Sequence, residues 1–181
     1  IFTDDNGILL YKPKVIGSST EGALLLMVNR WDMNFETIKT TVFNKDTDMV
    51  FPFNSSKKRS TCIVKKANGS IRVFVKGATE WLLKDATKYI NGEGEEVELT
   101  EDMRNTFNEN VDMMANKAYR TLCIAHIDFE SEATMPEDWQ NSPPDDANLV
   151  VDGIVGLEDP LRSDVKDAVK TAQNAGVLVR M

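Results

Sequence analysis

The dipeptide Asn68-Gly69 sits between two runs of alternating side chains, Thr61 to Lys66 and Ile71 to Lys76. Asn-Gly is the strongest short hairpin signal, because a type I′ turn needs positive φ at both central residues. With a two-residue loop, Cys62 is expected opposite Val75, Val64 opposite Val73 and Lys66 opposite Ile71, which makes one mainly apolar face. The other face then carries Thr61 opposite Lys76, Ile63 opposite Phe74 and Lys65 opposite Arg72. Side chains alternate between faces, so this assignment depends on the register alone. The second face, part apolar and part cationic, suits a ligand with a flat ring and phosphates.

The ribbon lies in a cationic island. Lys57, Lys58, Arg59, Lys65, Lys66, Arg72 and Lys76 fall between Met49 and Thr79 with no acidic residue among them, in a chain whose formal net charge is −8. Exposed charges are screened beyond about 10 Å, so a local surplus of one sign points to a local anionic ligand. Phe53, just ahead of the basic run, offers a ring for a base to stack on. Lys76 runs into Gly77, which permits close backbone approach before a helix starts near Thr79.

The longest apolar run, Ala23 to Val28, is far short of the roughly 20 residues that a membrane span needs. Cys62 and Cys123 make no disulfide framework, which points to a reducing setting. His126 is the only histidine, which argues against a His-based metal site. Ile1 is not a natural start, and the chain reads as an excised piece.

These residues carry a family resemblance. Phe53-Asn54-Ser55 with Lys57-Lys58, followed by Lys76-Gly77-Ala78-Thr79-Glu80, resembles the nucleotide-binding domain of P-type cation-transporting ATPases, most of all the plasma-membrane type of calcium pump. Thr20-Glu21-Gly22-Ala23-Leu24, the Arg120-Thr121-Leu122 segment and Gly156 to Arg162 match further motifs of that family in order. The resemblance implies that Glu21 contacts adenine, that Phe53 stacks on it, and that Lys76, Gly77 and Arg120 lie toward the phosphates, with Lys58 as an auxiliary cation. Asp159 and Arg162 would belong to the hinge, near the ribose and phosphates. It also implies ATP as ligand, with Mg2+ in the intact pump, and phosphorylation, actuator and transmembrane domains as partners. The setting would be the cytosolic side of an integral protein of the plasma membrane or of a calcium-store membrane. Ser60 departs from the family's usual Met, and Thr79 from its usual Ser or Pro.

Elsewhere the pattern is helical or turn-like. Asp4 to Gly7 reads as a turn. Ser18 with Glu21 fits a capping box for a helix whose stripe is Ala23, Leu24, Met27, Val28 and Trp31. Met33 to Asp48 reads as a short helix or strand and a polar turn. A helix is expected from Trp81 to about Tyr89, a turn at Asn91 to Gly94, and a Thr100-capped amphipathic helix through Met103, Phe107, Val111, Met114 and Ala118. Tyr119 to Ala125 should be a strand and Ser131 to Asn148 a loop or interdomain surface. Leu149 to Val155, a Ser163-capped helix and Val177 to Met181 read as a βαβ unit.

The expected architecture is therefore α/β (α+β). A twisted, mainly antiparallel sheet flanked by helices occupies residues 1–148, and 149–181 holds a hinge and the βαβ start of a Rossmann-like phosphorylation domain. The family's phosphorylated aspartate motif, Asp-Lys-Thr-Gly-Thr, does not occur in the sequence, so the piece is expected to bind nucleotide as a monomer without hydrolysing it. A phosphatase-like enzyme on the βαβ unit fails for want of that nucleophile. The alternative from another class is a single-stranded nucleic-acid module that uses the basic, aromatic hairpin. The acidic surplus counts against it, and no nucleic-acid partner is expected.

Overall fold

A computed structural model describes residues 17–180, together with the backbone of a small antiparallel pair, β1 (Phe2–Thr3) and β2 (Leu9–Leu10). The turn expected at Asp4 to Gly7 lies outside the described residues. The centre of the fold is a seven-stranded sheet. Its strands are β3 (Met49–Asn54), β4 (Arg59–Lys65), β5 (Ile71–Ala78), β6 (Ala86–Ile90), β7 (Glu96–Glu98), β8 (Arg120–Phe129) and β9 (Leu149–Leu157), and they run in the spatial order β3-β4-β5-β8-β9-β6-β7. Only β6 against β9 is parallel. The fold is thus mixed α/β around a mainly antiparallel open sheet flanked by helices.

The β4–β5 hairpin forms, but one residue away from the expected register. Thr61 faces Val75, Ile63 faces Val73 and Lys65 faces Ile71, while Ser60, Cys62 and Val64 face Lys76, Phe74 and Arg72. The loop is the cause. Lys66 N–H donates to Ser70 O at 2.8 Å and Gly69 N–H to Lys66 O at 2.9 Å. Only Gly69 takes positive φ, +87°. This is a three-residue loop closed by a left-handed glycine, not a two-residue type I′ turn. A one-residue slip exchanges the faces of one strand relative to the other. Phe74 and Lys76 therefore share their face with Cys62 and Ser60.

The opposite face forms the core. Ile63, Ile71, Val73, Val75, Cys123 and Ala125 bury there with Leu149 and Val151. Two helices cover this side, α3 (Thr79–Asp85) and α4 (Glu101–Asn116), and Leu82, Leu83, Met103 and Phe107 pack inward. Thr100 accepts a bond from Met103 N–H at 3.3 Å, so the expected cap of α4 is present. Ala118 lies beyond the helix, at φ +60°. The helix expected to reach Tyr89 stops at Asp85 instead, and Ala86–Ile90 becomes strand β6, paired with β7 and β9. Tertiary pairing with two strands outweighs the weak helical preference of that run.

Two helices precede the sheet, α1 (Ser19–Arg30) and α2 (Phe35–Val42). Ser18 stands at the N-cap of α1 without a side-chain bond, so the expected capping box is not made. Residues 131–148 are irregular apart from one 3-10 turn, Glu132–Thr134, and they bury Met135 and Asp145. β9, assigned by sequence pattern to a second unit, is the fifth strand of this sheet, bonded to β8 and β6. Beyond it, α5 (Val165–Asn174) starts after Asp164, not Ser163, and stops before Gly176 at φ +79°. Residues 177–180 form no strand.

Candidate functional site

The register brings one end of the sheet together. Antiparallel pairing sets Asn54 of β3 against Arg59 of β4, Arg59 against Gly77 of β5, and Ala78 against Leu122 of β8. Arg120 then meets Leu157, where β9 leaves the sheet. The end of β3, the start of β4, the end of β5 and the start of β8 are thereby neighbours. The motif residues Phe53, Lys76, Gly77 and Arg120 come from three of these places, the ends of β3 and β5 and the start of β8.

Phe53 owes its position to an irregularity. β3 is an edge strand, and its register with β4 shifts between Phe51 and Asn54, across Pro52 and Phe53. Proline is tolerated at such a bulge, and the bulge re-aims the side chain that follows. The Phe53 ring is left 61% exposed. It borders two adjoining cavities on the front face, of about 490 and 300 Å3, which share Glu21, Phe53, Ser60 and Lys76 as lining residues. The larger adds Cys62 and Phe74, and the smaller adds Gly77 and Leu122. Volumes of this size suit a small organic ligand.

Lys76 Nζ lies 3.1 Å from Glu21 Oε1, so the first turn of α1 is tied to β5 across the cavity wall. Gly77 is required by its neighbours. A Cβ there would stand 2.5 Å from the Lys58 carbonyl oxygen and 2.7 Å from Leu82 Cδ1. Lys58 itself, at φ +54°, takes part through its backbone, its carbonyl accepting from Ala78 N–H at 3.0 Å. Its side chain is exposed and lines neither cavity.

Arg120 lies on the front face with Leu122 and Ile124, by strand alternation. Ile124 is the partner of Lys76, so Arg120 stands roughly 13 Å farther along β8. It is exposed and lines neither cavity. Asp159 and Arg162 are exposed too, in the segment after β9, where Arg162 Nε meets Asp164 Oδ1 at 3.5 Å. The structure thus gathers Glu21, Phe53, Lys76 and Gly77 around two adjoining cavities and leaves Lys58, Arg120, Asp159 and Arg162 outside their lining.

Ser60 and Cys62 are the lining residues that sequence reasoning passed over, because the assumed register put them on the wrong face. Cys62 is a nucleophile by type, but burial, with Asp48 nearby, raises its pKa and keeps it a thiol. The lining offers a ring, a carboxylate and an ammonium, which are the means to hold a ligand.

The cationic island is largely neutralised within the chain. Lys57 pairs with Asp145, Arg59 with Asp85, Lys65 with Glu132, Lys66 and Arg72 with Asp128, and Lys76 with Glu21. Of the seven, only Lys58 has no ion-pair partner among the described residues. The local surplus in sequence is therefore not a surplus in space. The row of free cations that a single-stranded nucleic-acid surface needs is not formed there.

A family model described as P-type ATPase, cytoplasmic domain N, matches residues 3–164. Plasma membrane calcium-transporting ATPase 1 of Homo sapiens is 34% identical over 170 residues, 93% of this chain and 14% of that protein. The Gallus gallus protein of the same name shows the same identity and coverage. Calcium-transporting ATPase 8, plasma membrane-type, of Arabidopsis thaliana is 38% identical over 168 residues, 91% of this chain and 15% of that protein. The chain spans about 14% of the length of the first two relatives. No helix among the described residues is long and apolar enough to cross a membrane.

Proposed function

The chain belongs to the P-type ATPase cytoplasmic N-domain family, and from that premise we propose that its front-face cavities bind ATP. The observation that carries this reading is the convergence of Glu21, Phe53 and Lys76 on one space. Phe53 stacks on the adenine, since an exposed ring at the rim can cover one face of a base. Glu21 accepts a hydrogen bond from the adenine edge. Lys76 turns from Glu21 toward the phosphates, exchanging one anionic partner for another, and Gly77 lets the backbone come close. Arg120, farther along the same face, meets the outer phosphates with a planar fork matched to phosphate oxygens. Lys58, Asp159 and Arg162 act at the edge of the site, the last two at the hinge.

In the intact pump, of plasma-membrane calcium type, this domain carries the γ-phosphate to an aspartate in a segment that this sequence does not contain. That is a positioning role in phosphoryl transfer, with Mg2+ accompanying the nucleotide. The working partners are the phosphorylation, actuator and transmembrane domains, and the domain faces the cytosol. Residues 158–181 lead into the phosphorylation domain.

Calorimetric titration of the chain with ATP tests the reading. Phe53→Ala is expected to weaken binding by about 1–3 kcal/mol, the range for losing a base–aromatic stack. Because Phe53 is exposed, the substitution leaves the core intact, and equal affinity in the two proteins removes the stacking role.

A further inference from the structure

The only histidine of the chain, His126, lies on the front face opposite Phe74, yet it is 2% exposed. Its Nδ1 sits 2.8 Å from Asp152 Oδ1. Asp152 reaches it because β9 is bulged at that point. Gly153 pairs with Ile124 and Val151 with Ala125, leaving Asp152 as the extra residue. The other ring nitrogen, Nε2, is buried without a hydrogen-bond partner and faces Glu96 Oε1 at 3.6 Å. Asp128, two residues along β8 and so on the same face, completes the group. One ligand atom each from Glu96, His126 and Asp128 lie within 4.8 Å of one another.

We propose that Glu96, His126 and Asp128 form a binding site for a borderline divalent cation of the zinc type, with Asp152 as the group that orients the imidazole. A metal-bound histidine almost always passes its second ring N–H to a carboxylate or carbonyl, which fixes the tautomer and raises ligand basicity. The Asp152–His126 pair has that geometry, with the free nitrogen facing Glu96 Oε1. Imidazole with carboxylates suits zinc and its neighbours, whereas calcium and magnesium prefer an all-oxygen shell.

The cations already present leave room for the ion. Glu96 shows Oε2 to Lys88 Nζ at 3.7 Å and keeps Oε1 toward His126. Asp128 accepts from Arg72 at 2.7 and 2.6 Å and from Lys66 at 3.3 and 3.4 Å. The Lys66 bonds are the longer pair and come from a half-exposed amine, so Lys66 is the group that a metal ion displaces. Arg72 remains to hold the carboxylate in place. This site lies beside the cavities assigned to ATP and does not depend on that assignment.

The test is calorimetric titration of the 181-residue chain with zinc chloride in a non-chelating buffer. A parallel titration with cobalt(II) reads the visible absorption of a nitrogen–oxygen coordination shell. One equivalent of zinc is expected to bind, and His126→Gln and Glu96→Gln are each expected to weaken it at least tenfold. Asp152→Asn is expected to weaken it by roughly 10- to 100-fold, the usual loss when an orienting partner is removed. Glu96 is exposed, so Glu96→Gln decides the matter if His126→Gln fails to fold, as read by circular dichroism. Absence of saturable binding, zinc affinity unchanged by Glu96→Gln, or calcium competing on equal terms overturns the proposal.

Discussion

At the residue scale, Gly77 shows how a site residue can be dictated by packing. The backbone of β5 passes so close to Lys58 and Leu82 that a methyl group would collide with a carbonyl oxygen at 2.5 Å. A backbone atom cannot rotate away. Gly77→Ala is therefore expected to destabilise the chain by about 1–3 kcal/mol, the cost of forcing extra volume into a packed place, measured by urea unfolding. Asp128 makes an electrostatic point. Hydrogen bonds from Arg72 are the main cause that holds its carboxyl down at about 2, against the opposing pull of burial. The folded-state value lies below the ordinary one of about 3.9. The stabilisation is thus complete above that ordinary value and is lost as pH falls through about 2. In metal-free buffer, Asp128→Asn is expected to flatten the loss of stability between pH 4 and pH 2. Added salt should shrink the difference, because the carboxylate is 39% exposed.

At the element scale, the irregular stretch 131–148 is held down by one acid. Asp145 Oδ2 accepts from Thr61 Oγ1 at 2.6 Å and Oδ1 meets Lys57 Nζ at 3.2 Å. Arg59 donates to its backbone carbonyl while also reaching Asp85 Oδ2 at 2.6 Å. The start of β4, the end of α3 and this loop are thus pinned at one buried point. It lies directly behind the sheet end that carries Phe53 and Gly77. Asp145→Ala removes a charged acceptor and strands the Thr61 hydroxyl, and about 2–3 kcal/mol of lost stability is expected. If unfolding by denaturant shows less than half a kcal/mol of change (well below the figure for such bonds), the pin is not structural.

At the scale of the whole molecule, the placing of β9 governs where the chain can be divided. β9 bonds to β8 on one side and β6 on the other, so removing it opens two sheet edges and the core residues Leu149 and Val151. Ending the chain after Asn148 is expected to abolish cooperative unfolding. Ending it after Arg162 should leave the midpoint nearly unchanged, since no residue of α5 is buried. Thermal unfolding of the two truncated chains separates these outcomes, and a folded 1–148 product refutes the central role of β9.

Much of this architecture was legible without coordinates, for local reasons. The Asn68-Gly69 turn, the Thr100 cap and the alternation of β4 and β5 are short-range signals, and so are the motifs around Glu21, Phe53 and Lys76. The hairpin's register was not legible, because a loop of two residues and a loop of three look alike until the φ of Asn68 is known. Nor was the strand Ala86–Ile90, whose partners β7 and β9 lie elsewhere in the chain. The cationic island misled for the same reason: its neutralising acids, Asp85, Asp128 and Asp145 among them, are far away in sequence. The buried His126–Asp152 pair was not legible either, because it depends on a bulge that β9 makes against β8. The chain's own order determined the β4–β5 hairpin, the capped helix α4 and which residues mark the family. Only the folded sheet decided which faces they share and which charges meet, because pairing and ion contacts are made between residues that the sequence keeps apart.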